Sequence, residues 1–494
     1  MKRQTVSHSP HLAPERSARR VDLDWVRIGA FGLLILYHVG MLYVSWGFHI
    51  KSAHRITALE PLMLVLNPWR LALLFLVSGA ATRFMLGKYA VGPLLRSRSV
   101  RLLIPLIFGM LVIVPPQAYD QIVESLGYPA GFPDFYARHY FAFGPQFCGP
   151  GPCILLPTWN HLWFVAYLWI YTMALGVVWV AFPGLTGWVE RRLVPVLSGA
   201  GLLVAPSVAF AAYRLAVLPS FPSTHALFGD WYNHALFATV FLVGFLLARA
   251  DAFWDAIERQ RWLALSLAAA VFLSFLVLRW TRESGAPPSL LLKLYGGIAY
   301  GCYQWFCMVA VLGFARRWLT ADSGVRRYLT DAIFPYYIVH QTAIIMIAHE
   351  LHGRDLPAWL EASIVISGTL AVCVLTYEIV RRIAILRPLF GLRVSPIRAD
   401  SGAADSPTGA MICPSRKSAK TKYARSRLSR LECDQPASPP SQGGDGRGVG
   451  FLRQPVLGPC RGPPGPQTGR GGEGGGRRCG RHPASQRRLY VGWN

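Results

Sequence analysis

Long apolar stretches recur along the chain as far as residue 392, separated by short polar or basic connections. Ten of them read as spans, near residues 22–46, 62–82, 102–117, 160–182, 193–213, 230–248, 262–280, 291–313, 331–349 and 358–380. A bilayer core takes about 20 helical residues, and most of these stretches reach that length. In lipid such a segment has to be a helix, because every backbone amide needs a partner inside the segment. The third stretch is the shortest, and Pro105, Pro115 and Pro116 blur its ends. The predicted fold is all-α: a polytopic transmembrane helix bundle of about ten spans. The first stretch is too long for the apolar core of a signal peptide and contains Asp24, Arg27 and His38, so it reads as a retained span. Arg19-Arg20 before it is flanking charge rather than a twin-arginine signal.

The pattern stops near residue 394. Runs such as S-P-P-S-Q-G-G-D-G-R-G and G-R-G-G-E-G-G-G-R-R bury too little apolar surface to offset their ordering entropy. The chain thus divides into a cytoplasmic N-terminal tail (1–21), a transmembrane domain (22–393) and a disordered basic Gly/Arg/Pro-rich tail (394–494). Composition agrees. Apolar residues make up 53% of the 494 and charged residues 15%, against roughly 25% charged in ordinary globular chains. A soluble enzyme is excluded.

The net charge of +25 is informative through its distribution. The tail beyond residue 393 carries +11. The N-terminal tail and the connections on its side of the membrane hold 23 Lys and Arg, and the opposite loops hold 8. That bias places both termini in the cytoplasm, as expected of a multi-pass protein of a bacterial inner membrane. No specific nucleic-acid partner is expected, although an Arg/Gly-rich tail has the chemistry to bind RNA or anionic lipid. Residues 118–159 become the main extracytoplasmic loop. Cys148 and Cys153 fall there, where an oxidising compartment would permit a local disulfide. Cys302, Cys307 and Cys373 read as reduced core thiols. No His/Cys cluster suggests a metal.

Ionisable groups inside a span cost about 2.5–3.5 kcal/mol on insertion scales, so each asks for a reason. In the first span Arg27 and His38 are eleven residues apart, nearly three whole turns, and share a face with about 16 Å between them along the axis. Asp24 falls on the same stripe, three residues before Arg27, and is placed to pair with it. In the second span Asn67 and Ser78 share a face and Arg70 lies one turn from Asn67, while Ser78-Gly79-Ala80-Ala81 would let a neighbouring helix approach closely. Arg96, Arg98 and Arg101 precede the third span, either as topology signals or as a clamp for phosphates, which guanidinium binds in a forked geometry. Asn160, His161 and Trp163 open the fourth span on the outer side. Tyr336, Tyr337 and His340 cluster in the ninth, and Glu378 is a further acid near the cytoplasmic end of the tenth. His49 and His54 lie in a loop and read as solvated.

Arg27-x10-His38, F-L-V-S-G (Phe75 to Gly79), R-x-x-R (Arg98, Arg101), H-L-W-F (His161 to Phe164) and Y-Y-I-V-H (Tyr336 to His340) resemble, in order, the motifs of the acyltransferase-3 family of integral membrane acyltransferases. The resemblance covers most of residues 20–390, includes glucan-modifying and other O-acylating members, and has no counterpart for the tail. It implies transfer of an acyl group from cytoplasmic acyl-CoA to a hydroxyl, commonly of a sugar or glucan, at or beyond the outer face. Acyl-CoA would be a co-substrate, with no bound cofactor and no metal.

The residue chemistry fits independently. An alcohol needs a base to attack a thioester, and histidine is suited to proton transfer near neutral pH. His38 is the candidate base, with Arg27 and Asp24 completing the catalytic stripe and Asp24 anchoring Arg27. Arg70, Ser78, Arg98 and Arg101 are the candidate donor-binding residues. Asn160, His161, Trp163, Tyr337 and His340 are the acceptor-side candidates, and either Arg70 or Tyr337 would stabilise the oxyanion. Direct transfer is favoured over an acyl-histidine relay. The rival readings are a multi-span transporter of a polar or anionic solute that uses the same intramembrane His, Arg and Asp, and a membrane scaffold whose basic tail recruits nucleic acid.

Overall fold

The computed structural model describes residues 20–148, 153–281 and 289–393. The tail expected at 394–494, and all but the last two residues of the N-terminal segment, lie outside the described residues.

Each predicted stretch has a helical counterpart. The helices are α1 (Val21–Gly40), α2 (Glu60–Leu66), α3 (Arg70–Leu86), α4 (Val91–Phe108), α5 (Pro115–Leu126), α6 (Phe132–Phe135), α7 (Trp163–Ala181), α8 (Leu185–Leu197), α9 (Gly201–Ala212), α10 (Trp231–Leu247), α11 (Asp251–Thr281), α12 (Leu290–Trp318), α13 (Gly324–Leu351) and α14 (Ala358–Val380). Eight helical runs among the described residues are long and apolar enough to cross a bilayer. A ninth is a broken pair, α8 and the run Gly201–Val217, bent by 110°, and α10 is apolar but only 17 residues long. The fifth predicted span is therefore not a straight helix. Pro195 and Pro206 each remove a backbone donor, and Ser198-Gly199 lies at the bend.

The proline-blurred third stretch is longer than its sequence suggested. α4 continues through a π-helical turn (Gly109–Ile113) into α5, whose first turn takes Pro115 and Pro116 where their missing N–H groups cost nothing. Small residues set a close contact between α3 and α10. A Cβ on Gly79 would stand 2.0 Å from the Phe241 carbonyl oxygen, and one on Gly244 would stand 2.0 Å from that of Leu76. The Ser78-Gly79 motif is thus a seam where α3 and α10 touch backbone to backbone.

Three polar pairs join α1 to α13. Asp24 pairs with Arg326, Arg27 Nη2 donates to the Thr330 carbonyl at 3.1 Å, and His38 meets His340 at 3.2 Å. Their sequence separations are 302, 303 and 302 residues, so the two helices run in the same direction without slipping in register. The polar stripe of the first span is therefore the face it turns to the ninth.

Beyond the His38 end of the bundle, α5, α6 and a hairpin of β1 (Gly144–Phe147) and β2 (Ile154–Leu156) enclose a small aromatic core that includes Phe135 and Tyr140. A disulfide joins Cys148 to Cys153 beside the hairpin. Cys302, Cys307 and Cys373 are free thiols.

Candidate active site

A cavity of about 690 Å³ opens at the His38 end, lined by residues that include Leu34, His38, Phe48, His49, Trp163 and Tyr337. His38 reaches it from the last turn of α1, where Leu34 on the same face also lines the wall. The His38 and His340 rings are parallel within 5° with centroids 5.2 Å apart, the disposition of two imidazoles joined edge to edge by an in-plane hydrogen bond.

The hydrogen-bond partners assign the protons of four histidines. His340 Nδ1 lies 2.8 Å from the Tyr337 carbonyl, an acceptor only, so that nitrogen carries the proton. His340 Nε2 then accepts, and His38 Nδ1 donates to it. His161 Nε2 donates to the Ile338 carbonyl at 3.1 Å, and its Nδ1 accepts from Gln117 Nε2 at 3.4 Å. His49 Nδ1 donates to Gln121 Oε1 at 2.6 Å, and its Nε2 accepts from Gln341 Nε2 at 2.9 Å. Gln117 is the hub. Its amide nitrogen also donates to Thr342, and its oxygen accepts from Asn160 at 3.1 Å and Gln341 at 3.2 Å. The network links most of its donors to acceptors, which is what a polar cluster in a low-dielectric interior requires. One ring nitrogen is left over. Among the described residues nothing hydrogen-bonds His38 Nε2, the unprotonated nitrogen of a residue that lines the cavity.

His38, Asn160, His161, Trp163 and Tyr337 all line this cavity, and fully buried His340 stands behind it. His340 is therefore the partner of His38 rather than part of the wall. The other sequence candidates lie elsewhere. Arg70 is buried with its guanidinium 3.4 Å above the Tyr37 ring and Nη1 donating to Asn67 at 3.1 Å, behind the wall that Leu71 forms. The Tyr337 hydroxyl donates to the His161 carbonyl, so its one proton is engaged. The Ser78 carbonyl accepts from Thr82 Oγ1 at 2.8 Å, and Thr82 Oγ1 accepts from Arg98 Nη2 at 3.3 Å. Asp24 is held by Arg326, which Asp322 also holds, so the anchoring of this stripe runs through α13. Glu378 pairs with Arg381 and Arg382 on the rim of its own helix.

At the opposite end a groove of about 640 Å³ is lined by Arg96, Arg101 and Arg393 together with Ser97 and the turn around Gly391. Arg101 Nε donates to the Gly391 carbonyl at 3.1 Å. Arg98 turns inward instead, so the two arginines of R-x-x-R face different surroundings. The groove and the cavity share no lining residue.

Several site residues lay outside the sequence expectation. His49 is not solvated. It lines the cavity between two glutamines, and burial holds its imidazole below the ordinary value against the opposing bond to Gln121. Gln117 and Gln121, one turn apart on α5, and Gln341, next to His340, were legible as polar residues at helical spacing. His225, from the loop before α10, had no signal. Among the described residues no His, Cys, Asp and Glu group is arranged to hold a metal ion.

The described residues form a helical membrane bundle with a basic groove at one end and a histidine-lined cavity at the other. The sequence profile described as "Acyltransferase domain" matches residues 20–378, and the chain belongs to this acyltransferase-3 family. Among curated proteins it is similar to glucans biosynthesis protein C of Escherichia coli, from strain K12 and from O139:H28 strain E24377A alike. Both are 21% identical over 388 residues, covering 77% of this chain and 96% of the relative. No solved structure matches.

Proposed function

We propose that the protein transfers an acyl group from cytoplasmic acyl-CoA to a hydroxyl of an extracytoplasmic sugar or glucan, with His38 as the general base. The observation that carries this reading is His38 Nε2 in the wall of the cavity, the one ring nitrogen without a hydrogen-bond partner in the linked set of His38, His340, His161 and His49 among the described residues. Nε2 takes the proton of the acceptor hydroxyl as its oxygen attacks the thioester carbonyl. The tetrahedral intermediate collapses, the C–S bond breaks, and the proton passes from His38 to the leaving thiolate. The products are an ester and free CoA. The Tyr337 carbonyl and His340 fix the tautomer that leaves Nε2 free, the role an acidic residue has in hydrolase triads.

The arginines of the opposite groove suit the phosphates of the donor. Burial of Arg70 near His38, and the engaged hydroxyl of Tyr337, favour Arg70 of the two as the group whose charge offsets the oxyanion. The relative's name, glucans biosynthesis protein C, supports a glucan as acceptor. One observation favours the transporter reading: the bent pair α8–α9 resembles the broken helices of carriers. None of its residues lines the cavity, however.

The test is turnover of a panel of radiolabelled acyl-CoAs by the purified protein in nanodiscs, followed by mass spectrometry of added glucans. Thiol release with an acyl ester on the glycan supports the transferase. Solute uptake into proteoliposomes with no thioester cleavage supports the carrier.

A further inference from the structure

The wall of the His38 cavity contains a second construction that the proposed chemistry does not use. Trp163, the first residue of α7, and His225, from the loop before α10, both line the cavity. Their rings stack with centroids 4.3 Å apart and planes 25° apart. His225 adopts φ +58°, a left-handed backbone uncommon outside glycine, in which His, Asn and Asp are the side chains most often found. Such a residue persists only where its surroundings over-determine it.

Here the over-determination comes from Asp230, which is fully buried. Its carboxylate accepts from the backbone N–H groups of Thr224 at 2.9 Å, His225 at 2.6 Å and Asn233 at 3.2 Å, and from Asn233 Nδ2 at 2.9 Å. Asn233 Nδ2 also donates to Ser223 Oγ at 2.7 Å. A buried charge and a disfavoured backbone are thus combined to hold one imidazole flat against one indole.

The chemistry of the wall narrows what lies on that surface. Among the described residues that line the cavity, none is Asp, Glu, Lys or Arg. Burial holds the His225 imidazole below its ordinary value against the opposing Asp230, which disfavours the charged form of that ring. The polar groups at hand are neutral: Thr158, Asn160, Gln121 and Thr224. A charged ligand entering this cavity would lose its hydration and meet no oppositely charged side chain among the described residues of the wall, Arg70 lying behind it. A ligand with an apolar face and many hydroxyls would lose little, since aromatic rings take the face and amides take the hydroxyls.

We propose that the His225–Trp163 pair is the platform on which an uncharged sugar ring of the acceptor lies, with Asp230 as the residue that positions it. This rests on the sugar-acyltransferase reading above and deepens it: the acceptor is a neutral glycan, neither phosphorylated nor uronic. His225 sets acceptor affinity and takes no part in proton transfer.

The test uses the full-length protein in nanodiscs with laminaritetraose, and with the same oligosaccharide oxidised to uronic acids. Binding is read by saturation-transfer NMR, and transfer kinetics are read with a donor that the wild type turns over. His225→Asn is the informative variant, because asparagine tolerates the left-handed backbone while removing the ring. Its acceptor KM should rise about ten-fold, the loss of one aromatic contact, with the change in KM rather than in kcat or the donor KM. The transfer signal from the neutral oligosaccharide should weaken in parallel. An unchanged acceptor KM, a loss shared equally with kcat and the donor KM, or preference for the oxidised oligosaccharide would overturn the platform. Absence of all thioester turnover by wild type, with neutral sugar still bound through His225, would sink the transferase reading and leave the platform standing.

Discussion

A histidine serves as a base through a nitrogen that holds neither proton nor partner, and sequence alone does not say which of several histidines has one. Helical spacing marked His38 and His340 as buried and unusual. What it could not reveal is that the Tyr337 carbonyl fixes His340, which in turn fixes His38. His49 was passed over because a loop histidine is usually solvated, and here the loop folds back between Gln121 and Gln341. His225 was invisible because its place depends on Asp230, a long-range construction with no periodicity. The tautomer relay makes a prediction at this scale. His340→Phe removes the acceptor for His38 Nδ1–H and frees the imidazole to take the wrong tautomer. Initial-rate assays should show kcat lower by about 10²-fold or more, with the donor KM little altered. A kcat within a few-fold of wild type would mean that His340 is only packing.

Elements were more legible than side-chain partners. Apolar length alone located the helices, because a bilayer leaves the backbone few alternatives. It misjudged shape where proline intervened: α4 runs on through a π-helical turn into α5, and α8–α9 bends sharply. The polar stripe of α1 was correctly read as one face, but its partner helix could not be read from the stripe. That needed the register with α13. Small residues in α3 were read as a close-packing surface, and Gly79 is one, against Phe241. Gly79→Val should therefore force α3 and α10 apart. Overpacking of this kind costs roughly 1–3 kcal/mol, visible as a lower melting temperature of the detergent-solubilised protein. An unchanged melting temperature would mean that the two backbones are not in contact there.

On the scale of the whole molecule, the bundle carries two chemically distinct openings, one lined by arginine and one by neutral histidines, amides and aromatics. Sequence charge bias makes the arginine end the one expected to face the cytoplasm, but it could not separate arginines that report topology from those that line a groove. Arg96 and Arg101 line it and Arg98 does not. Arg96→Ala combined with Arg101→Ala should raise the KM for acyl-CoA by about ten-fold, the loss of charge-assisted contacts to phosphate. The acceptor KM should hardly move, and a donor KM equal to wild type would return both residues to topology signals.

The central claim is that His38 Nε2 is the base for acyl transfer, and its most direct test is the rate of thioester cleavage by His38→Ala beside wild type, each in nanodiscs at saturating donor and acceptor. The account predicts a folded protein, melting near the wild-type temperature, that transfers on the order of 10²- to 10⁴-fold more slowly. Transfer at the wild-type rate by that variant would contradict it.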